Sequence, residues 1–299
     1  MARPLRIEFP GAVYHVTSRG DRQEAIFRND SDRELLLDVV DEAVARLGAE
    51  VLAYCLMGNH YHFVLRTGRA NLSRLMRHIN GKYTQAYNRR HALSGHVFQG
   101  RFHAVLIDSD SYLIEVCRYV ELNPVRASLV GHPSEWPWSS YRSHTGMDPG
   151  HCWLATPELH AQLLGRDATT VEDQLCAAHR YAAAVADGMG ADPWSGKLRA
   201  EIFLGDEAFV AKMRTRATER RMQCAEVPKA QRTDARALTQ WMVADRSRQE
   251  SFRLAYSEGG LTMSEIAKQA GLCVSRVSRM IASAEELNAS RPDPAKLKT

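Results

Sequence analysis

Val51-Leu52-Ala53-Tyr54-Cys55-Leu56-Met57-Gly58-Asn59-His60-Tyr61-His62-Phe63-Val64-Leu65 is the stretch from which the fold can be read. Residues 51–57 form a short, almost wholly apolar run, the pattern of a buried strand. Gly58-Asn59 is a turn signal, and residues 60–65 read as the returning strand of a hairpin. Alternate side chains of a strand share a face, so His60 and His62 point one way while Tyr61, Phe63 and Leu65 point the other. Two adjacent imidazoles on a strand anchored by bulky apolar residues make half of a divalent metal site. The His-x-His spacing also arises by chance, and the pair alone leaves both readings open.

Outward from the hairpin, residues 11–18 have the β-branched and aromatic content of a strand. Ser31-Asp32-Arg33-Glu34 is a capping box for a helix whose apolar face is Leu35, Leu36, Val39, Val40, Ala43, Val44 and Leu47, with Gly48 as its stop. After the hairpin, Leu72, Leu75, Met76, Ile79, Tyr83 and Tyr87 recur at helical spacing over residues 71–90. Residues 97–107 read as another strand, and Ser109 or Asp110 caps a third helix running to Asn123-Pro124. Strand, helix, hairpin, helix, strand, helix gives an α+β domain with an antiparallel sheet.

The expected domains are 1–145 for the sheet, 146–231 for a helical connecting region and 232–299 for a terminal module, with Gly146, Pro149 and Gly150 at the first boundary. Beyond it the patterns are helical with almost no strand signal. The tail after Asn288, with Pro292 and Pro294, is expected to fray.

In the third helix Leu113, Val116, Cys117 and Val120 form the core stripe, and Tyr119 and Asn123, four apart, stack on one face. A phenol is a competent nucleophile beside an electrophilic metal, and an amide oxygen suits a hard cation such as Mg²⁺ or Mn²⁺. A lone helix tyrosine is also ordinary half-buried packing.

From Arg66 to Ile107 there is no Asp or Glu. The stretch carries Arg66, Arg69, Arg74, Arg77, Lys82, Arg89, Arg90 and Arg101, with Tyr83, Tyr87, Phe98 and Phe102 interleaved. Cations neutralise phosphates and aromatics stack on unpaired bases, which points to nucleic acid rather than a solvated face of mixed sign. Near the C-terminus, Thr262-x-x-Glu265 is a capping box, Gly271 suits a tight turn and Ser275 caps a second helix. This reads as a helix-turn-helix, with Arg276, Ser278 and Arg279 available to a major groove.

Composition adds exclusions. The 299 residues are 44% hydrophobic and 25% charged, with net charge +4 and pI about 8.7, a mild lean towards anionic partners. No run approaches the roughly 18 apolar residues of a membrane span. The start lacks the apolar run of a secretory signal, and the six cysteines are scattered without a Cys-x-x-Cys pair. Both fit a reducing cytoplasm, with no disulfide framework or thiolate zinc site.

Four ordered motifs then resemble one family. They are Met57-Gly58-Asn59-His60-Tyr61-His62, Gly95-His96-Val97-Phe98-Gln99-Gly100-Arg101-Phe102, Tyr119-Val120-Glu121-Leu122-Asn123-Pro124-Val125-Arg126-Ala127 and Trp136-Pro137-Trp138-Ser139-Ser140-Tyr141. Together, over about residues 5–145, they resemble the REP-associated tyrosine transposases, single-tyrosine members of the HUH group, and the helix-turn-helix resembles that of longer members. The resemblance implies a ferredoxin-like sheet, a divalent metal on His60 and His62 completed by Asn123, and Tyr119 as nucleophile. It also implies cleavage and rejoining of single-stranded hairpin DNA through a 5′-phosphotyrosine link, by a monomer or weak dimer, with duplex DNA as a partner of the terminal module. Gly58 and Tyr61 depart from the family's frequent proline and aliphatic residue, and neither removes a ligand. The rival expectation is a non-catalytic DNA-binding transcriptional regulator that uses only the helix-turn-helix.

Overall fold

A computed structural model of the chain describes residues 7–189, 198–199, 202–226, 238–243, 246–257 and 261–289. The tail with Pro292 and Pro294 lies outside the described residues. The elements open as β1 (Ala12–Arg19), α1 (Asp30–Leu47), β2 (Ala49–Leu56), β3 (His60–Thr67), α2 (Leu72–His91), β4 (His103–Ile107) and α3 (Ser109–Glu121). The strands lie in the order β2-β3-β1-β4 and every neighbouring pair is antiparallel. With α1 and α2 as the crossovers this is the ferredoxin-like arrangement.

Local chemistry explains the departures from the expected boundaries. Asn29, not the Ser31 box, caps α1, its side chain accepting from the Asp32 amide at 3.2 Å. Asp32 is then buried, accepting from the Arg28 amide at 2.8 Å and lying 2.8 Å from His91 Nε2. Gly48 ends α1 in the left-handed region, as its position implies. Residues 97–102 are not strand. Gly100 turns there at φ +64°, and Gln99 N–H donates to the Arg19 carbonyl at 2.8 Å, so β4 starts at His103.

Both faces of the sheet are covered. On one face Tyr14, Val16, Tyr61, Phe63 and Leu65 pack against the apolar stripes of α1 and α2. On the other, Val13, Val64, Val105 and Ile107 meet Leu113, Val116, Cys117 and Val120 of α3. A second helical layer continues with α4 (Asn123–Arg126), α5 (Tyr141–His144), α6 (Thr156–Leu164) and α7 (Val171–Asp187). Leu159, Tyr181 and Val185 are buried in that same core. Two short strands missed by the sequence reading, β5 (Leu198–Arg199) and β6 (Phe203–Leu204), extend the sheet, with β6 parallel to β4.

The compact unit therefore runs over Met1–Ala217 rather than ending at 145, because Leu154, Leu159, Tyr181, Val185, Phe203 and Val210 are buried in the cores on the two faces of the sheet. α8 (Glu207–Glu226) crosses its end. The second unit, Thr218–Thr299, holds α9 (Leu238–Trp241), α10 (Arg248–Ser257), α11 (Met263–Ala270) and α12 (Val274–Ala289) around Phe252, Ile266, Val277 and Ile281. Among the described residues no helix is long and apolar enough to cross a membrane.

Candidate functional site

The two motif histidines do share a face, and their ring centroids are 4.9 Å apart. The two-residue turn closes with Met57 N–H donating to the His60 carbonyl at 2.9 Å, which fixes where the pair begins. His60 is half-buried, its Nδ1 donating to Asn59 Oδ1 at 2.7 Å. His62 is buried, and its Nδ1 lies 2.9 Å from Nε2 of His15 on β1. Thr17 stands opposite His62 in the β1–β3 ladder, so His15, two residues along, is on the same face.

Burial, and then His103, pushes His15 down to about 3. Burial, then His15, His60 and Arg126, holds His62 well below the ordinary imidazole value. Burial and Arg19 lower His60. All three rings therefore favour the neutral form, which is the form that ligates a metal.

Among the described residues no group of three or more His, Cys, Asp and Glu side chains is placed to hold a metal ion. The donors that do converge are two imidazoles, and one observation fits them to a cation: His62 Nε2 is buried with no hydrogen-bond partner. A buried polar nitrogen left that way costs about 1–3 kcal/mol, which a bound cation would offset.

Tyr119 lies over this face because its neighbours Val116, Cys117 and Val120 seat α3 on the sheet while its own side chain stays partly exposed. Its ring centroid is 6.0 Å from that of His15 and 6.4 Å from that of His62. The Arg126 guanidinium lies 4.4 Å from the centre of the tyrosine ring, and its Nη1 donates to the Tyr119 carbonyl at 2.9 Å. Asn123 sits just past the end of α3, and its Nδ2 donates to the carbonyls of Tyr119 and Val120 at 3.0 and 3.1 Å. The amide thus closes the helix end with its nitrogen and turns its oxygen away from those carbonyls.

This stretch now has a counterpart among known proteins. Residues 9–123 match the family model of IS200-like transposases. The matched span contains His15, His60, His62, Tyr119 and Asn123. A solved structure of a REP-associated tyrosine transposase bound to a REP hairpin is 19% identical, with 49% of this chain and 86% of that chain covered and a TM-score of 0.44. No curated protein matches.

The IS200-like span ends inside the second helical layer, and buried polar chemistry ties the two together. Glu121 accepts from Ser140 Oγ and, at 2.8 Å, from the Tyr181 hydroxyl. His144 Nδ1 lies 2.7 Å from the same carboxylate, off the line of a good hydrogen bond. The tyrosine helix is thus fastened to α5 and α7, outside the matched span. No local motif signals this, because the partners lie 19 to 60 residues away.

The basic residues divide. The run lacks acids in sequence, but packing brings acids to it. Arg66 pairs with Glu50 at 3.1 Å and Glu158 at 2.9 Å, Lys82 pairs with Glu42, and Arg90 lies 3.5 Å from Asp32. Arg74 is half-buried. Arg77, Arg89 and Arg101 are exposed, and Arg77 and Arg101 line a cavity of about 560 Å³ with His96, Phe98 and Phe102.

In the second unit the capping box is present, with Glu265 N–H donating to Thr262 Oγ1 at 3.1 Å and Thr262 N–H to Glu265 Oε2 at 2.7 Å. Gly271 turns at φ +65° between α11 and α12. Ser275 does not cap α12, which already begins at Val274, and lies exposed in its first turn. Arg276 and Arg279 are exposed and Ser278 is half-buried.

Proposed function

We propose that the first unit is a metal-dependent transesterase that cleaves and rejoins single-stranded hairpin DNA. The observation that carries this is the placing of Tyr119 over the face shared by His60 and His62. The match to IS200-like transposases supports the reaction class.

Tyr119 Oη is the nucleophile. As it bonds to phosphorus the P–O3′ bond breaks, and the departing 3′-oxygen takes up a proton for the one the phenol gives up. One phosphodiester bond replaces another, so a second 3′-hydroxyl can reverse the step and join strands. Arg126 holds the tyrosine ring and backbone in place. His60 and His62 would hold a divalent cation such as Mg²⁺ or Mn²⁺, with the Asn123 oxygen as a further donor. Such a cation withdraws charge from a phosphate oxygen. The test is incubation of the full chain with hairpin single-stranded DNA and Mn²⁺. A covalent protein–DNA adduct retained in denaturing gels supports the reading, and its absence with DNA bound refutes it.

The helix-turn-helix of the second unit supports an added contact to duplex DNA through Arg276 and Arg279. A purely regulatory protein would have no use for the tyrosine above the histidine pair.

A further inference from the structure

His60 is oriented by a partner that leaves no choice of proton position. Asn59 Oδ1 can only accept, and the amide is itself fixed by Nδ2 donating to the Gln23 carbonyl at 3.0 Å. The proton therefore sits on His60 Nδ1, and Nε2 keeps its lone pair. His62 faces a more ambiguous partner, since in a contact between two neutral imidazoles one nitrogen must donate and the other accept. The His15 and His62 rings lie in planes 4° apart, with centroids 5.2 Å apart and an N–N contact of 2.9 Å. Those values put the rings edge to edge and in line, so the contact is a hydrogen bond rather than a face-to-face stack.

We infer that His15 is the positioning residue for His62: its Nε2 accepts the His62 Nδ1 proton and so presents the His62 Nε2 lone pair to a divalent cation. This rests on the metal reading above. With the opposite polarity His62 would carry its proton on Nε2, a buried atom with no acceptor, and could not ligate. With this polarity His60 and His62 are matched, each giving its Nδ1 proton to a neighbour and each offering Nε2. Ligating histidines usually hand the second N–H to a carboxylate, carbonyl or water. Here another imidazole takes that place, and it comes from a different strand.

The test uses the full chain in two ways. Long-range ¹H–¹⁵N spectra of histidine-labelled, metal-free protein read the tautomer directly, and His62 is expected to be protonated at Nδ1. Mn²⁺ titration followed by electron paramagnetic resonance then compares wild type with His15→Phe, His15→Gln and His62→Ala. His15→Phe should weaken Mn²⁺ binding by about 10–100-fold, the usual effect of losing such a partner. His15→Gln, whose Oε1 can accept the same proton, should recover most of the affinity.

Wild-type His62 protonated at Nε2 overturns the inference even if the Phe variant fails to fold. Equal Mn²⁺ affinity in wild type and His15→Phe overturns it while leaving the metal reading intact. A wild-type chain that binds no Mn²⁺ overturns both.

Discussion

Glu121 and His144 are both shut off from solvent, and the imidazole Nδ1 stands 2.7 Å from the carboxylate. Glu121 closes the helix that carries Tyr119, while His144 belongs to α5, beyond the span that matches the transposase family. The position of the tyrosine is therefore set partly by residues outside that span. Glu121 is also the buried acceptor for the Ser140 and Tyr181 hydroxyls, so Glu121→Ala leaves buried polar groups without their partner and should cost about 1–3 kcal/mol. Chemical denaturation followed by circular dichroism reads this, and a midpoint within error of wild type would contradict it.

The same packing predicts where the chain can be cut. A chain ending at residue 150 keeps His60, His62, Tyr119 and Asn123 but lacks Leu159, Tyr181 and Val185, all buried against the layer of α3. It should be recovered insoluble, or soluble without a cooperative melt. A chain ending at residue 226 keeps them and should melt cooperatively. A well-folded 150-residue fragment would mean that α6 and α7 are dispensable lining.

How much of this could be read beforehand depends on range. The β2–β3 hairpin and the shared face of His60 and His62 were legible, because period-two alternation and a two-residue turn are local signals, whereas the ferredoxin-like strand order was implied only by the family resemblance. His15 was not legible, since its partnership with His62 exists only through the β1–β3 register, set across 47 residues. The surroundings of the basic run were hidden for the same reason. Its lack of acids is a property of the sequence, whereas Glu42, Asp32, Glu50 and Glu158 reach it through packing. β6 was invisible because two residues carry no periodicity.

Tyr119→Phe should abolish the covalent adduct and leave hairpin binding nearly unchanged. The substitution removes only the phenol oxygen, and the ring against Arg126 remains. Gel-shift affinity and denaturing-gel adduct yield, measured on the same preparation, separate the two effects. An adduct formed at the wild-type rate would assign the nucleophile elsewhere.

The division of the basic residues makes a salt-dependence test specific. Arg77, Arg89 and Arg101 are exposed, whereas Arg66 and Lys82 already face carboxylates. Replacing the first three together should reduce the slope of log affinity against log salt by roughly 0.7 for each single-strand phosphate that the protein then leaves unneutralised. Replacing Arg66 and Lys82 should change the slope much less. Equal changes in the two variants would mean that the carboxylates give way to DNA.

The second unit has its own buried core, in Phe252, Ile266, Val277 and Ile281, and contributes none of the candidate site residues of the sheet. Arg276 and Arg279 project from α12 beside Gln249 and Ser283 around a cavity of about 430 Å³, where a phosphate backbone or base edge would meet them. Arg276→Ala with Arg279→Ala should therefore weaken duplex binding, and the duplex salt slope should fall by roughly 0.9 for each phosphate these arginines neutralise. Neither side chain is buried, so thermal stability should stay within about 0.5 kcal/mol of wild type. A chain ending at residue 226 lacks α9 to α12 altogether and should still form the adduct on a hairpin strand, with duplex affinity reduced further. If that chain folds and binds Mn²⁺ but forms no adduct, the second unit completes the active site and the two units do not act independently. If the double variant keeps both its duplex affinity and its salt slope, α12 does not enter the groove.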